Sequence, residues 1–430
     1  MITRDQAFDL LEGALSAADA DSVSASISGG TVASTRIADN AATQCIHRTD
    51  YSLHVTCAYG KSHASASSNT LDPDTIRATV ARAQEAARLS PPDPEFMPPL
   101  EASEAQRYLP VDAWCETTAA RAPEATAAEM AAAIAPVAAQ GYRLSGAYRH
   151  QATMVAFVNS NGLRGTHQGT QASFRATCLG ADGTGWAQAT AMSATGINPT
   201  AVAGEALCIA MDAQKPTAIE PGKYTVILRP AAVEEMLPWY MVCDAKATDE
   251  GRTFLRGRLG TKVCNESITL RSDPTDPRCP DAPMLGGGLA AEPVTWVRNG
   301  VLENLHRSRF WAQKTNTQPS RGPTNLILDG GNTSVEEMIA STERGILVTR
   351  FWYIRIVDPM TSLLTGMTRD GLFLIENGQI TRPLKQLRFN EKVLNVLSNV
   401  EQIGPVERLG DSLMPTLKVR DFTFSSGTTF

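Results

Sequence analysis

The chain has 430 residues, 43% of them apolar and 20% charged, with a formal net charge of −6. That balance fits a soluble globular protein with two or three hydrophobic cores. It excludes a broad basic surface for nucleic acid, and no apolar run has membrane-spanning length.

"MITRDQAFDLLEGALSAAD" opens the chain. It is acidic and amphipathic, so it reads as a helix rather than a signal peptide. Thr3 and Gln6 have capping-box spacing. Val23, Ala25 and Ile27 then alternate as in a half-buried strand, as do Leu53, Val55, Cys57 and Tyr59. His54 falls on the other face of its strand and reads as solvated. "LDPDTIRATVARAQEAARLS" predicts a helix capped by Asp72, with Pro73 at its first position. Five prolines between Ser90 and Leu100 then impose an extended connector. An Ala-rich helix, four strands with "SNG" and "ADGTG" turns, and a helix from Pro199 to about Gln214 follow. From "KYTVILRP" onward, short strands lie between Gly, Pro and Asn turns. "RNG" and "ENG" mark tight hairpins. Helices are predicted after Pro230 and over "TSVEEMIAST".

The expected class is α+β. An N-terminal α/β unit spans 1–90, a Pro-rich connector 91–110 and a central α+β unit 111–220. A barrel-like, largely antiparallel domain spans 221–430. The N-terminal units carry a mixed or antiparallel sheet.

Catalytic patterns are missing. No H-E-x-x-H or G-x-S-x-G occurs, and the glycine-rich "DGGNTS" and "LGGGL" lack the G-K-[ST] of a phosphate loop. His306, beside a hairpin, reads as a surface histidine. Asp273, Asp276 and Asp281 read as Asp-Pro turn residues before a cation site. Glu234 and Glu235 would point roughly 100° apart on a helix, so they cannot act as one carboxylate pair. The eight cysteines are scattered, with no C-x-x-C. They read as reduced thiols in a cytoplasm.

The order of the C-terminal segments resembles a known family. "GKYTVILRP", "EGRTFLRGRLGTKV", "VTWVRNGVLENLHRSRFWAQKTNTQPS", "PTNLILDGGNTSVEEMIASTERGILVTRFW", "DPMTSLLTGMTRDGLFLIENGQITRPL" and "PTLKV" together are similar to the TldD/TldE (PmbA, modulator of DNA gyrase) metallopeptidases. "ASASSNTLDPDTI" and "VAFVNSNGLRG" extend the likeness toward the N-terminus. In the catalytic TldD-type subunits of that family, the helix after the first strand carries H-E-x-x-x-H. Its histidines bind zinc, its glutamate is the general base, and a late cysteine is the third ligand. Counted from "YTVIL", those positions fall here on Pro238, Trp239 and Cys243. No histidine lies near, and "VEQIGPVERLGDS", where the late cysteine would fall, has none.

The resemblance therefore implies a TldE-type subunit without catalytic or metal-binding residues of its own. Zinc and base would come from a TldD-type partner in a heterodimer that degrades or matures unfolded peptides bound in extended form. Trp239 and Trp352 are the candidates for peptide or partner contact. Neither nucleic acid nor membrane is an expected partner. Where the family has a P-F-D-x-E-G-like run, this chain has "CPDAPMLGGGLAAEPV", a loop expected to line the chamber. The alternatives are a stand-alone peptide-binding scaffold and a hydrolase using other residues.

Overall fold

The computed structural model describes residues 1–237, 242–320 and 322–428. Strands β1 (Ser22–Ala38), β2 (Ala41–Tyr59), β3 (Ser62–Ser68), β4 (Arg143–Asn159), β5 (Arg164–Leu179) and β6 (Thr184–Ala191) form one antiparallel sheet, ordered β3-β2-β1-β4-β5-β6. β1 pairs β2 on one edge and β4 on the other. Strands from the 1–90 and 111–220 segments therefore share a single sheet.

Helices α1 (Arg4–Ser16) and α2 (Pro73–Leu89) pack where Val23, Ala25, Ile27, Leu53, Val55 and Cys57 are buried. The alternation that predicted those strands is the alternation of burial. His54 is exposed, with Nδ1 3.0 Å from the Ser67 hydroxyl. Thr3 and Gln6 cap α1 reciprocally, and Asp72 accepts from the Thr75 amide at 2.9 Å to start α2. After the one-turn α3 (Glu116–Ala119), α4 (Pro123–Ala139) and α5 (Pro199–Asp212) cover the second core, around Tyr148 and Phe174.

The C-terminal strands are β7 (Gly222–Leu228), β8 (Leu270–Ser272), β9 (Val294–Arg298), β10 (Val301–Leu302), β11 (Leu326–Leu328) and β12 (Arg344–Asp358). β13 (Leu363–Glu376), β14 (Gln379–Pro383), β15 (Leu387–Lys392), β16 (Val400–Leu409) and β17 (Ser412–Gly427) complete them. β7 pairs β12 and also β17, so β7-β12-β13-β15-β17 close into a ring. This is the barrel-like body expected from the sequence. Most pairs are antiparallel, but β7–β12 and β11–β17 are parallel. Phe351, Phe389, Phe422 and Phe424 pack inside it, with ring centroids 4.6 to 5.8 Å apart.

Helices α6 (Pro230–Met236) and α9 (Val335–Ala340) fall where the sequence predicted them. α7 (Ala245–Asp249), α8 (Arg309–Thr315) and α10 (Val393–Ser398) were not predicted. They have five, seven and six residues, too few to display a helical period. Among the described residues no helix is long and apolar enough to cross a membrane.

Gly29 and Gly30, with φ of 146° and 151°, let β1 pass close to both neighbours. A Cβ on either would lie 2.1 Å from a carbonyl oxygen, that of Asp50 or of Ala152. Gly30→Ala should therefore destabilise by about 2–4 kcal/mol, combining backbone strain and overpacking. Gly13 sits in α1 with open space around it. Gly13→Ala should stabilise by about 0.5–1 kcal/mol. Urea denaturation of both variants checks the opposite signs.

Candidate functional site

β7 leads directly into α6. The Arg229 amide donates to the Val348 carbonyl at 3.1 Å, tying the start of the helix to β12. Pro230 sits in the first turn, where a missing N–H costs nothing. Ala231, Ala232, Val233 and Met236 are buried. The helix stops at Met236, and Pro238, Trp239, Tyr240 and Met241 lie outside the described residues.

Cys243 and Asp244 follow. The Cys243 carbonyl accepts from the His306 amide at 2.9 Å, and the Ala245 amide donates to the His306 carbonyl at 2.7 Å. Asp244 caps α7 by accepting from the Ala247 amide at 2.8 Å, and its other oxygen is 3.6 Å from His306 Nδ1. His306, expected at the surface, is partly buried against this segment. Burial pushes the Cys243 thiol up to about 11, against the hydrogen bond with Thr253. It is therefore protonated at neutral pH and not a ready nucleophile. Among the described residues, no three His, Cys, Asp or Glu side chains are placed to hold a metal ion. The residues at this position do not fit a zinc centre, which takes at least three protein ligands.

Glu235 turns inward instead. Its carboxylate accepts from Arg350 Nη2 at 2.9 Å and from the Phe351 amide at 2.8 Å. Burial pushes the Glu235 carboxyl up to about 7, with Arg350 and the Phe351 amide acting against the rise. Arg350 lies 4.5 Å over the Trp186 ring, 5.7 Å from that of Trp352, and 3.7 Å from Asp370. Asp370 accepts from the Thr184 hydroxyl at 2.7 Å. A network from α6, β12 and β13 thus clasps β6 of the N-terminal sheet. Trp352, 43% exposed, borders a cavity beside it. Trp186, Arg350 and Asp370 escaped sequence reasoning because they come from distant elements that share no spacing signal.

Two other expectations also meet the structure here. Asp276 is held by Arg278 and Arg271 at 2.7 and 3.0 Å, and Asp273 accepts from the Thr275 amide, so these are turn residues with internal partners. The divergent 279–294 loop packs on the N-terminal half. Tyr108 donates to the Gly288 carbonyl at 2.6 Å, Arg107 meets Glu292 at 2.8 Å, and Met284 packs with Phe157 and Leu163.

Residues 221–426 match the family described as PmbA/TldA metallopeptidase C-terminal domain. The chain is similar to a metalloprotease of Methanothermobacter thermautotrophicus, 29% identical over 37% of this chain and 38% of that protein. It is 23% identical to the metalloprotease PmbA of Escherichia coli O157:H7 over 39% of each. The chain thus matches well under half the length of these curated relatives. The crystal structure of TldE from Thermococcus kodakarensis shares the fold, with a TM-score of 0.88 at 15% identity over 97% of this chain and 99% of that one.

Arg350→Ala would strand the Glu235 carboxylate. It should cost about 1–3 kcal/mol, because the pair is only partly buried and Glu235 can take up a proton, whereas Glu235→Gln combined with Arg350→Met should cost less. Chemical denaturation of the single and double variants measures the difference. A second expectation concerns the thiols. Hydrogen bonds from Ser193, then Thr117 and Thr118, hold the Cys115 thiol down at about 6. At neutral pH iodoacetamide should label Cys115 readily and Cys243 slowly. Peptide mass mapping of the native chain reads this out. The Cys115 rate should rise through its pKa and then level off, whereas that of Cys243 should still be rising in strong alkali.

Proposed function

The chain belongs to the TldD/TldE (PmbA) family, and we propose that it is a TldE-like, non-catalytic subunit of a heterodimeric zinc metallopeptidase. A TldD-type partner supplies zinc and general base. This chain supplies part of the wall of a chamber in which unfolded peptide is degraded or matured. Peptide binds extended, through backbone hydrogen bonds that depend little on its sequence. The pair works in the cytoplasm, with the cysteines of this chain reduced.

One observation carries this reading. Where the family's zinc motif would fall, the described ligand-capable side chains are already committed. Among the described residues no three His, Cys, Asp or Glu side chains gather there to hold a metal ion, and Asp244 is spent on capping α7 and on His306. No zinc-dependent step is assigned to this chain.

The isolated chain should hold well under one zinc after dialysis and should not cleave unfolded casein. With a TldD-type partner, zinc-dependent cleavage should appear. About one tightly held zinc per chain, or cleavage without the partner, would sink the reading. Cys243→Ala should cost about 1–2 kcal/mol of stability and leave cleavage by the assembled pair unchanged. Loss of activity with stability and assembly intact would make Cys243 a chemical participant.

A further inference from the structure

A cavity of about 1170 Å³ opens between the end of α5, the tip of β6 and the β13–β15 pair, with Trp352 and Tyr353 of β12 on one side. That exceeds the roughly 300–1,000 Å³ of most small-molecule sites. Four cations line it: Lys215 after α5, Arg369 on β13, and Lys385 and Arg388 around the start of β15. All four are exposed. Two carboxylates, Asp182 and Asp370, also line it. Asp370 is 4% exposed and already bound by Thr184, with Arg350 at 3.7 Å and Arg369 at 3.8 Å. Among the described residues, Lys215, Lys385 and Arg388 form no salt bridge, and Arg388 reaches only the Met367 sulfur at 3.8 Å.

Met367 is paired with Arg388 across the strands. Arg369, two residues on, therefore lies on the same face, diagonal to Arg388, roughly 7–8 Å away. Neighbouring like charges are unfavourable unless an anion sits between them. This clustering occurs in a chain whose net charge is −6. The aromatic wall adds a second observation. Tyr353 is 61% exposed and sits at φ 58°, a left-handed conformation that is costly for an aromatic residue. The irregular pairing of β12 between Trp352 and Arg355 holds it there.

We propose that this cavity seats an acidic segment of an extended peptide. Its carboxylates would bind Lys215, Arg369, Lys385 and Arg388, and an apolar side chain would lie against Trp352 and Tyr353. Cations drawn from three separate elements suit carboxylates spaced along a chain better than one compact anion. Asp182 at the rim and the overall negative charge disfavour a nucleic acid backbone. The inference rests on the chain's role as a peptide-lining subunit and names the class of peptide it takes.

The test uses the full chain without a partner, so its failure leaves the cleavage experiment above unaffected. The probe is a fluorescein-labelled flexible peptide alternating Glu and Gly around one Phe, compared with its Lys-for-Glu counterpart by anisotropy. The Glu peptide should bind at least ~10-fold tighter, and binding should weaken between ~50 and ~200 mM salt. Lys385→Glu combined with Arg388→Glu should lower its affinity by ~10-fold or more with the melting temperature unchanged. Should that variant not fold, Arg388→Gln must still weaken binding measurably. Equal affinity for both peptides, or unchanged affinity in the folded variants, overturns the proposal. So does equal competition by inorganic phosphate, or tighter binding of oligothymidylate.

Discussion

β7 is paired on both edges, and the placement of α6 depends on that pairing. Gly345 to Val348 of β12 run parallel to it on one side, and β17 runs antiparallel from Leu417 to Phe424 on the other. A strand held by ladders on both edges cannot slip by one residue without inverting the side chains it presents. The four phenylalanines inside the ring fix it further, since each buried aromatic adds large apolar area. α6 therefore starts at a fixed point in a fixed direction. Glu235, in the second turn, meets Arg350 because Arg350 lies two residues beyond the β12 residues that pair with β7.

The two halves share a small apolar cluster, in which Ile209 and Ala213 of the N-terminal half pack with Leu347, Phe373 and Ile375, and beside it the two sheets meet through polar groups. Arg350 spans Trp186 and Trp352, and Thr184 reaches Asp370. Arg229 pairs with Glu205 at 2.7 Å, and Gln171 reaches Asp411 at 3.1 Å. Charged groups partly withdrawn from water are costly unless paired, so such a junction specifies geometry more than it adds stability. It also leaves space. Side chains that must satisfy hydrogen bonds cannot close-pack as apolar ones do, and the cavity beside Trp352 opens at this seam.

Local features were legible in the sequence. The α1 and α2 caps, the alternation of β1 and β2, the two Asn-Gly hairpins and the helix after Pro230 each leave a signature within a few residues. Long-range pairings leave none. Nothing in "YRLSGAYRH" says that β4 will lie beside β1, or that β7 and β12 will run parallel. The site suffered most from this. Cys243 and Trp352 could be singled out by resemblance, but the His306 contact and the Arg350 clasp depend on which strands become neighbours. The divergent 279–294 loop looked like chamber lining. Its packing on Tyr108 and Leu163 is decided by side chains of the other half of the chain.

The same layout secures α6 by burial. α6 is held by Ala231, Ala232, Val233 and Met236, all buried, and by its tie to β12. Those residues precede the positions where the ligands would fall. Here the helix is secured by burial before the chain reaches Pro238. The inward-facing Glu235, one residue before the helix ends, is then free to serve the junction between the sheets. Trp352 lies two residues beyond its partner Arg350 on β12, so the strand that anchors α6 also sets the wall of the cavity.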